Sequence, residues 1–196
     1  MPESTMLRFV QILPQVSPEG EFLLKDLPGS GKRIDVLCRD LAACFSWGPI
    51  FWSLASLEMI AVIGNTKIMT FINPQDELPS GEMGWASVIR DSLREKPPNY
   101  VDISEGTLED VIIRLNLARD SKLWVLDEQG TNLFDPHVVR PFTQNSFMLG
   151  NHRGFDSQTE SIMSQYNIDR ISLGKKSYLS SHCLAAIISE FERMVR

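Results

Sequence analysis

The chain alternates between two apolar rhythms. Met6–Leu13 is a nearly continuous apolar run closed by Pro14, which predicts a strand. Pro18, Gly20, Pro28, Gly29 and Gly31 then mark a loop. From Lys32 to Phe45, Ile34, Leu37, Cys38, Leu41, Cys44 and Phe45 recur at helical spacing, with Asp35, Arg39 and Asp40 on the opposite side. Leu57–Ile63 and Thr66–Ile72, joined at Gly64-Asn65, read as a hairpin. A helix is predicted from Glu82 to Arg94, ahead of Pro97-Pro98. A second runs from a cap-like Thr107-Leu108-Glu109-Asp110 to Ala118. Lys122–Leu126 reads as a strand broken at Asp127-Glu128-Gln129-Gly130. A strand ending at Leu149, a helix around Gln158–Tyr166, a strand over Ile168–Ser172 and a last helix from about Ser180 to Met194 complete the pattern. Helices alternating with strands predict an α/β fold whose sheet is mostly parallel in its C-terminal half and flanked by helices.

Two of the predicted strands lead into glycine-punctuated loops. Ser146–Leu149 ends in Gly150-Asn151-His152-Arg153-Gly154, and Ile168–Leu173 ends in Gly174-Lys175-Lys176-Ser177. Open α/β sheets bind ligands outside the carboxyl ends of their strands. Glycines there permit close backbone approach, and the first amides of a following helix offer donors to a polar or anionic group. The same loops also serve as plain turns, so this pattern alone names no ligand.

With 196 residues and 43% hydrophobic content, the chain is long enough for a sizeable core, and its length fits one domain, 1–196. The start, Met1-Pro2-Glu3-Ser4-Thr5, is polar and does not resemble a secretory signal. The apolar stretch from Trp47 to Gly64 is interrupted by Gly48, Pro49 and Glu58, so no membrane span is predicted. Three cysteines without a C-x-x-C pair predict neither a disulfide framework nor a metal site, and suit a reducing cytoplasm.

A net charge of −6 argues against a generally basic nucleic-acid surface. An RNA partner would have to meet a local patch, such as Lys25, Lys32, Arg33 and Arg39, or Arg170, Lys175 and Lys176, each of which also reads as a solvated face. Gly29-Ser30-Gly31-Lys32 resembles the tail of a phosphate-binding P-loop. That motif needs glycine where the chain has Asp26 and Ser or Thr where it has Arg33, so nucleotide triphosphate hydrolysis is rejected.

Two separate blocks resemble one family. Lys25-Asp26-Leu27-Pro28-Gly29-Ser30 with Arg33-Ile34-Asp35-Val36-Leu37-Cys38-Arg39, and Leu149-Gly150-Asn151-His152-Arg153-Gly154 with Arg170-Ile171-Ser172-Leu173 and Ser180-Ser181-His182-Cys183, are similar to the tRNA pseudouridine N1-methyltransferases, a branch of the SPOUT methyltransferases. Asn151 departs from the family pattern, which carries aspartate there.

The resemblance implies a SPOUT-type fold with a trefoil knot over about residues 120–196, a homodimer, and S-adenosylmethionine (SAM) as cofactor. It implies methylation of N1 of pseudouridine in RNA, at position 54 in the T-loop of tRNA. It assigns the cofactor to Leu126, Gly150, Leu173, Gly174, Lys175, Lys176, Ser177, Tyr178 and Cys183, and RNA contacts to Lys32, Arg39, His152 and Arg153. Asp35, to orient or deprotonate the base, and Arg33, to hold an anion, become the catalytic candidates, near the cofactor of the other subunit; a charge pair at a helix start is their plainer reading. Two alternatives stay open: another RNA target such as ribosomal RNA, or a non-catalytic protein that binds SAM and RNA. Cys183 paired with His182 as a nucleophile is disfavoured, because adjacent helical residues point about 100° apart.

Overall fold

The computed structural model describes residues 5–46, 53–74, 78–94, 96–139, 142–150 and 154–195. Seven strands form one sheet in the order β4-β3-β2-β1-β6-β5-β7. They are β1 (Met6–Leu13), β2 (Leu57–Ile63), β3 (Lys67–Ile72), β4 (Val101–Glu105), β5 (Ser121–Asn132), β6 (Gln144–Leu149) and β7 (Asp169–Ser172). The pairs β1–β2, β1–β6, β5–β6 and β5–β7 are parallel, whereas β2–β3 and β3–β4 are antiparallel. The mostly parallel α/β sheet read from the sequence is therefore present. β4, whose outward residues are polar, carries too little apolar signal to be read from the sequence.

Period-two alternation divides the core between the two faces. Phe9, Leu13, Met59, Ile63, Trp124 and Phe147 point to one face, under helices α1 (Ile34–Leu41), α2 (Gly81–Leu93) and α6 (Ser180–Val195). Val10, Ile12, Ile60, Val125 and Met148 point to the other, under α3 (Leu108–Leu117) and α5 (Ser157–Gln165). A short helix, α4 (Pro136–Val139), joins β5 to β6. At the start of α3 the predicted cap closes as a capping box: the Thr107 amide donates to Asp110 Oδ2 at 2.8 Å and the Asp110 amide donates back to Thr107 Oγ1 at 3.4 Å.

Two expectations change. First, β5 does not end at Leu126. It pairs with β7 through Leu126↔Ile171, leaves the ladder over residues 127–130, and pairs again through Thr131↔Ile171 and Asn132↔Ser172. The polar Asp127-Glu128-Gln129-Gly130 looks like a break because it is an excursion within one strand.

Second, the polar side of α1 is not a solvated face. Asp35 is 2% exposed and Asp40 0%, and Arg39 is the one residue of the helix that is not buried. α1 is enclosed by the sheet, α2 and α6, so helical spacing identified its apolar stripe and missed that its other side is also covered.

Candidate active site

A cavity of about 790 Å³ opens at the excursion of β5 and the carboxyl ends of β6 and β7, where an α/β sheet places its ligand. Its floor and one side come from Leu126-Asp127-Glu128, Leu149-Gly150, Gly154-Phe155 and the segment from Leu173 to Cys183, which runs from the loop after β7 into α6. α1 supplies the facing side through Val36 and Arg39, with Arg33 just before the helix.

Of the expected cofactor residues, Leu126, Gly150, Leu173, Gly174, Lys176, Ser177, Tyr178 and Cys183 line the cavity, while Lys175 is exposed and off the wall. Of the expected RNA contacts, Arg39 lines the cavity and Lys32 is exposed; His152 and Arg153 lie outside the described residues, as does Asn151. Arg33 lies on the wall of this chain's own cavity. The reason is packing: α1 and α6 share one face of the sheet, and this brings the end of the N-terminal loop over the C-terminal loops.

The approach to α1 explains the Arg33 geometry. Asp26 accepts from the amides of Gly29 at 3.2 Å and Ser30 at 2.9 Å, while the amides of Lys32, Arg33 and Ile34 go to the carbonyls of Gly29, Pro28 and Gly31. These amides are used inside the turn, which agrees with rejecting the P-loop reading. A side chain at Gly31 would bring Cβ to 2.5 Å from the Leu27 carbonyl oxygen, so only glycine fits this closure. Lys32 and Arg33 then both adopt left-handed backbone, φ 48° and 73°. Two consecutive non-glycine residues in that region carry a local cost that surrounding contacts must offset. The contacts are at hand: Arg33 Nε and Nη2 donate to Asp35 Oδ1 and Oδ2 at 3.0 and 3.1 Å.

Arg39 Nη2 also donates to Asp35 Oδ2, at 2.8 Å, and its Nη1 reaches Glu82 Oε1 at 3.3 Å. Burial raises the Asp35 pKa, but the hydrogen bonds and charges of the two arginines outweigh it and hold the carboxyl below its ordinary value of 3.8. Asp35 is therefore an ionised anchor with both oxygens engaged. Arg33, about one-third exposed, keeps a guanidinium edge available at the cavity.

The C-terminal side of the cavity is held by polar contacts between residues far apart in the sequence. Ser172 Oγ accepts from the Gly174 amide and shares its one proton between the carbonyls of Gly174, at 3.0 Å, and Glu128, at 3.3 Å, tying the β5 excursion to the loop after β7. Arg170 bridges Asp127 and Glu160, the latter at 2.6 Å. Gln11, fully buried in β1, donates weakly to the Leu149 carbonyl at 3.4 Å beneath the Gly150 loop. In the sequence Gln11 is a polar interruption of an apolar run, and Asp127 and Glu160 read as a turn and a helix surface. Only their convergence gives them a role.

Burial pushes the Cys183 thiol up to about 11, with Asp40 and Glu128 adding to the effect, and His182 beside it is exposed. A neutral thiol in the wall is the result, not a nucleophile. Alkylation of Cys183 by iodoacetamide, followed by peptide mass analysis, should accelerate steadily from pH 7 to about 10; a plateau near pH 8 would overturn this assignment.

The cavity suits a ligand with a flat polar ring and a charged tail. Leu126, Leu149 and Leu173 give apolar surface, loop backbone gives hydrogen-bonding groups, and Asp127, Glu128, Glu160, Arg33, Arg39 and Lys176 bring both signs of charge to the wall. SAM has those parts, so these residues fit it.

Comparison with known proteins bears on the same region. Residues 86–195 match the family described as "Putative SAM-dependent RNA methyltransferase". The chain is 32% identical over 185 residues to the tRNA (pseudouridine(54)-N(1))-methyltransferase of Thermococcus gammatolerans, covering 85% of this chain and 87% of that one. It is 28% identical over 202 residues to the enzyme of the same name from Methanococcoides burtonii, covering 96% of each. Its fold is similar to that of Nep1 from Archaeoglobus fulgidus, solved with S-adenosylhomocysteine, at a TM-score of 0.63 and 15% identity over 98% of this chain and 99% of that one. With the motif loops gathered around one cavity and a relative of this similarity over most of its length, the chain belongs to the tRNA pseudouridine N1-methyltransferase family of SAM-dependent RNA methyltransferases.

Proposed function

We propose that the chain methylates N1 of the T-loop pseudouridine, position 54, of tRNA. One observation carries the reading: the cavity that suits SAM is walled on its facing side by Arg33 and Arg39, both fixed by Asp35. The relatives named for this reaction support the choice of substrate. When bound, SAM supplies an electrophilic methyl group on its sulfonium.

The protein's own task is alignment and charge. Pseudouridine is linked to its ribose through carbon, leaving N1–H free, and that nitrogen becomes a good nucleophile once its proton departs. Arg33 stabilises the resulting anion through its accessible guanidinium edge. Asp35 holds both arginines in place; with its oxygens taken and its pKa lowered it is poorly suited to accept the proton, which leaves to solvent. Lys32, exposed before α1, together with Arg39, His152 and Arg153, meets RNA phosphates. Leu126, Gly150 and the segment from Leu173 to Cys183, with Lys175 at its outer edge, hold the cofactor.

The working unit in this proposal is a cytoplasmic homodimer of one methyltransferase domain, 1–196, knotted over its C-terminal third. Among the described residues no helix is long and apolar enough to cross a membrane, and no group of three or more His, Cys, Asp or Glu side chains could hold a metal ion.

Purified protein with labelled SAM and two matched tRNA transcripts tests the reading. The transcript with pseudouridine at position 54 should gain label as 1-methylpseudouridine, and the one with uridine there should not. Label in neither transcript, with label in ribosomal RNA, would move the substrate; label nowhere would remove the catalytic reading.

A further inference from the structure

α1 and α6 flank the cavity and are joined by a side-chain hydrogen bond between residues 140 apart in sequence: Ser180 Oγ donates to Asp40 Oδ1 at 2.7 Å. Asp40 is fully buried, and its Oδ2 has no hydrogen-bond partner. A buried carboxylate with a free oxygen is costly, and positions serving packing alone are usually satisfied. Ser180 lies on the cavity wall with Ser181 and Cys183, while α1 carries Val36 and Arg39 on the facing wall. Asp40 thus stands one hydroxyl group behind the cofactor side, on the helix that fixes the arginines.

We infer that Asp40 is a positioning residue that acts through Ser180 Oγ, holding the cofactor wall against α1 and biasing the cavity toward the cationic cofactor over its neutral product. The inference rests on the reading of this cavity as the SAM site. SAM carries a sulfonium charge, and S-adenosylhomocysteine is an uncharged thioether. An ionised carboxylate close behind the wall favours the first and is indifferent to the second. It also fixes the hydroxyl: beside a carboxylate, Ser180 must donate to Asp40 and offers only lone pairs to the cavity. Beside a protonated acid it can accept, and its own proton turns to the cavity.

The groups around Asp40 allow this switch to be read in isolation. On α1 are Arg39, Asp35 and Cys38; on the turn that follows is Cys44; on α6 is Cys183, with exposed His182 next to it; and Glu82 of α2 reaches Arg39. Burial raises all three thiols, Cys183 to about 11 and the other two further, so they stay neutral. Asp35 is held ionised, and Arg39, despite burial, is held cationic by Asp35. Asp40 is raised by burial to about 7, a rise that the Ser180 hydrogen bond and Arg39 reduce without cancelling.

Calorimetric affinities of SAM and S-adenosylhomocysteine for the wild type, Asp40→Asn and Ser180→Ala, at about pH 6, 7 and 8, test this. In the wild type the preference for SAM should rise about threefold to tenfold with pH, as linkage to an ionisation near 7 requires. Asp40→Asn keeps an oxygen for Ser180 and should bind the product within about twofold of wild type, but its preference should be flat with pH. Ser180→Ala removes a hydrogen bond that lowers the Asp40 pKa, so the change should move to higher pH. A preference that is flat in the wild type, a pH dependence that survives in Asp40→Asn through His182, or an unmoved midpoint in Ser180→Ala overturns the proposal. Binding of neither ligand at any pH would remove the cofactor reading itself, and this proposal with it.

Discussion

Asp35→Ala is expected to lower the rate of methyl transfer at saturating substrates by about a hundredfold, with SAM affinity within a few-fold of wild type, because misplacing groups at a reacting centre costs on this order. The carboxylate accepts three N–H bonds from two arginines, and nothing else in the loop from Asp26 to Arg33 fixes the direction of the Arg33 guanidinium so directly. Without it Arg33 keeps its charge and loses its aim, so kcat suffers and the cofactor wall, built by other elements, does not.

Asp35→Asn separates orienting from proton transfer. An amide oxygen still accepts from one arginine, so partial activity, about a tenfold loss, supports the anchor; activity as low as that of the alanine variant would favour a base. Arg33→Lys keeps the charge without the two-pronged fork and should fall between wild type and Asp35→Ala. Near-normal turnover by Asp35→Ala sinks the assignment.

The same cluster affects stability in a known direction. Burial would raise the Asp35 pKa, and the arginines lower it below 3.8. A depressed carboxyl contributes stability that is fully present above its unfolded-state pKa and is lost as pH falls through the folded value. The contribution is therefore present at neutral pH and disappears in acid below about pH 4. Because Arg33 and Arg39 are 34% and 28% exposed, solvent screens the pairs, and a loss of about 1 kcal/mol in Asp35→Ala is the expected scale.

Gly130→Ala should produce the largest loss of stability. A Cβ at this position would lie 2.5 Å from the Ile171 amide nitrogen and 2.6 Å from the Arg170 carbonyl carbon. Both are backbone atoms of β7, which pairs with β5 on either side of the contact, through Leu126 and Thr131. No flexible side chain can yield, so the two strands must part. A cost of about 3 kcal/mol is expected, at the upper end for overpacking. In a chain of this size that lowers the thermal midpoint by about 6–12 °C.

Cofactor affinity should fall with stability, since the strained segment carries Asp127 and Glu128 on the cavity wall and Ser172 ties Glu128 to the loop after β7. Calorimetric melting with and without S-adenosylhomocysteine measures both effects. A midpoint within about 2 °C of wild type would show that β5 and β7 are not in close contact at this point.

Most of the elements were legible in the residues. Short apolar runs bounded by turn residues marked β1, β2, β3, β6 and β7, and Thr107 with Asp110 marked the start of α3, because each depends on neighbours in the chain. The loops at Gly150 and Gly174 stood out as breaks after strands, and they do line the cavity. Local pattern was a poor guide where burial comes from distant segments. Asp35 and Asp40 looked like the polar side of an amphipathic helix, and β5 seemed to stop at Leu126.

The sequence by itself determined the α/β class, the family and the two loops that line the cavity, since these are written in short-range periodicity and contiguous motifs. The tertiary structure alone decided that the Arg33–Asp35–Arg39 cluster shares a cavity with those loops, that Arg170 joins Asp127 to Glu160, and that Asp40 meets Ser180. The physical reason is that a helix's periodicity reports one buried stripe. Whether its remaining side is solvated or pressed against α2 and α6 depends on elements up to 140 residues away, and that packing sets both the charge states and the chemistry of the residues it covers.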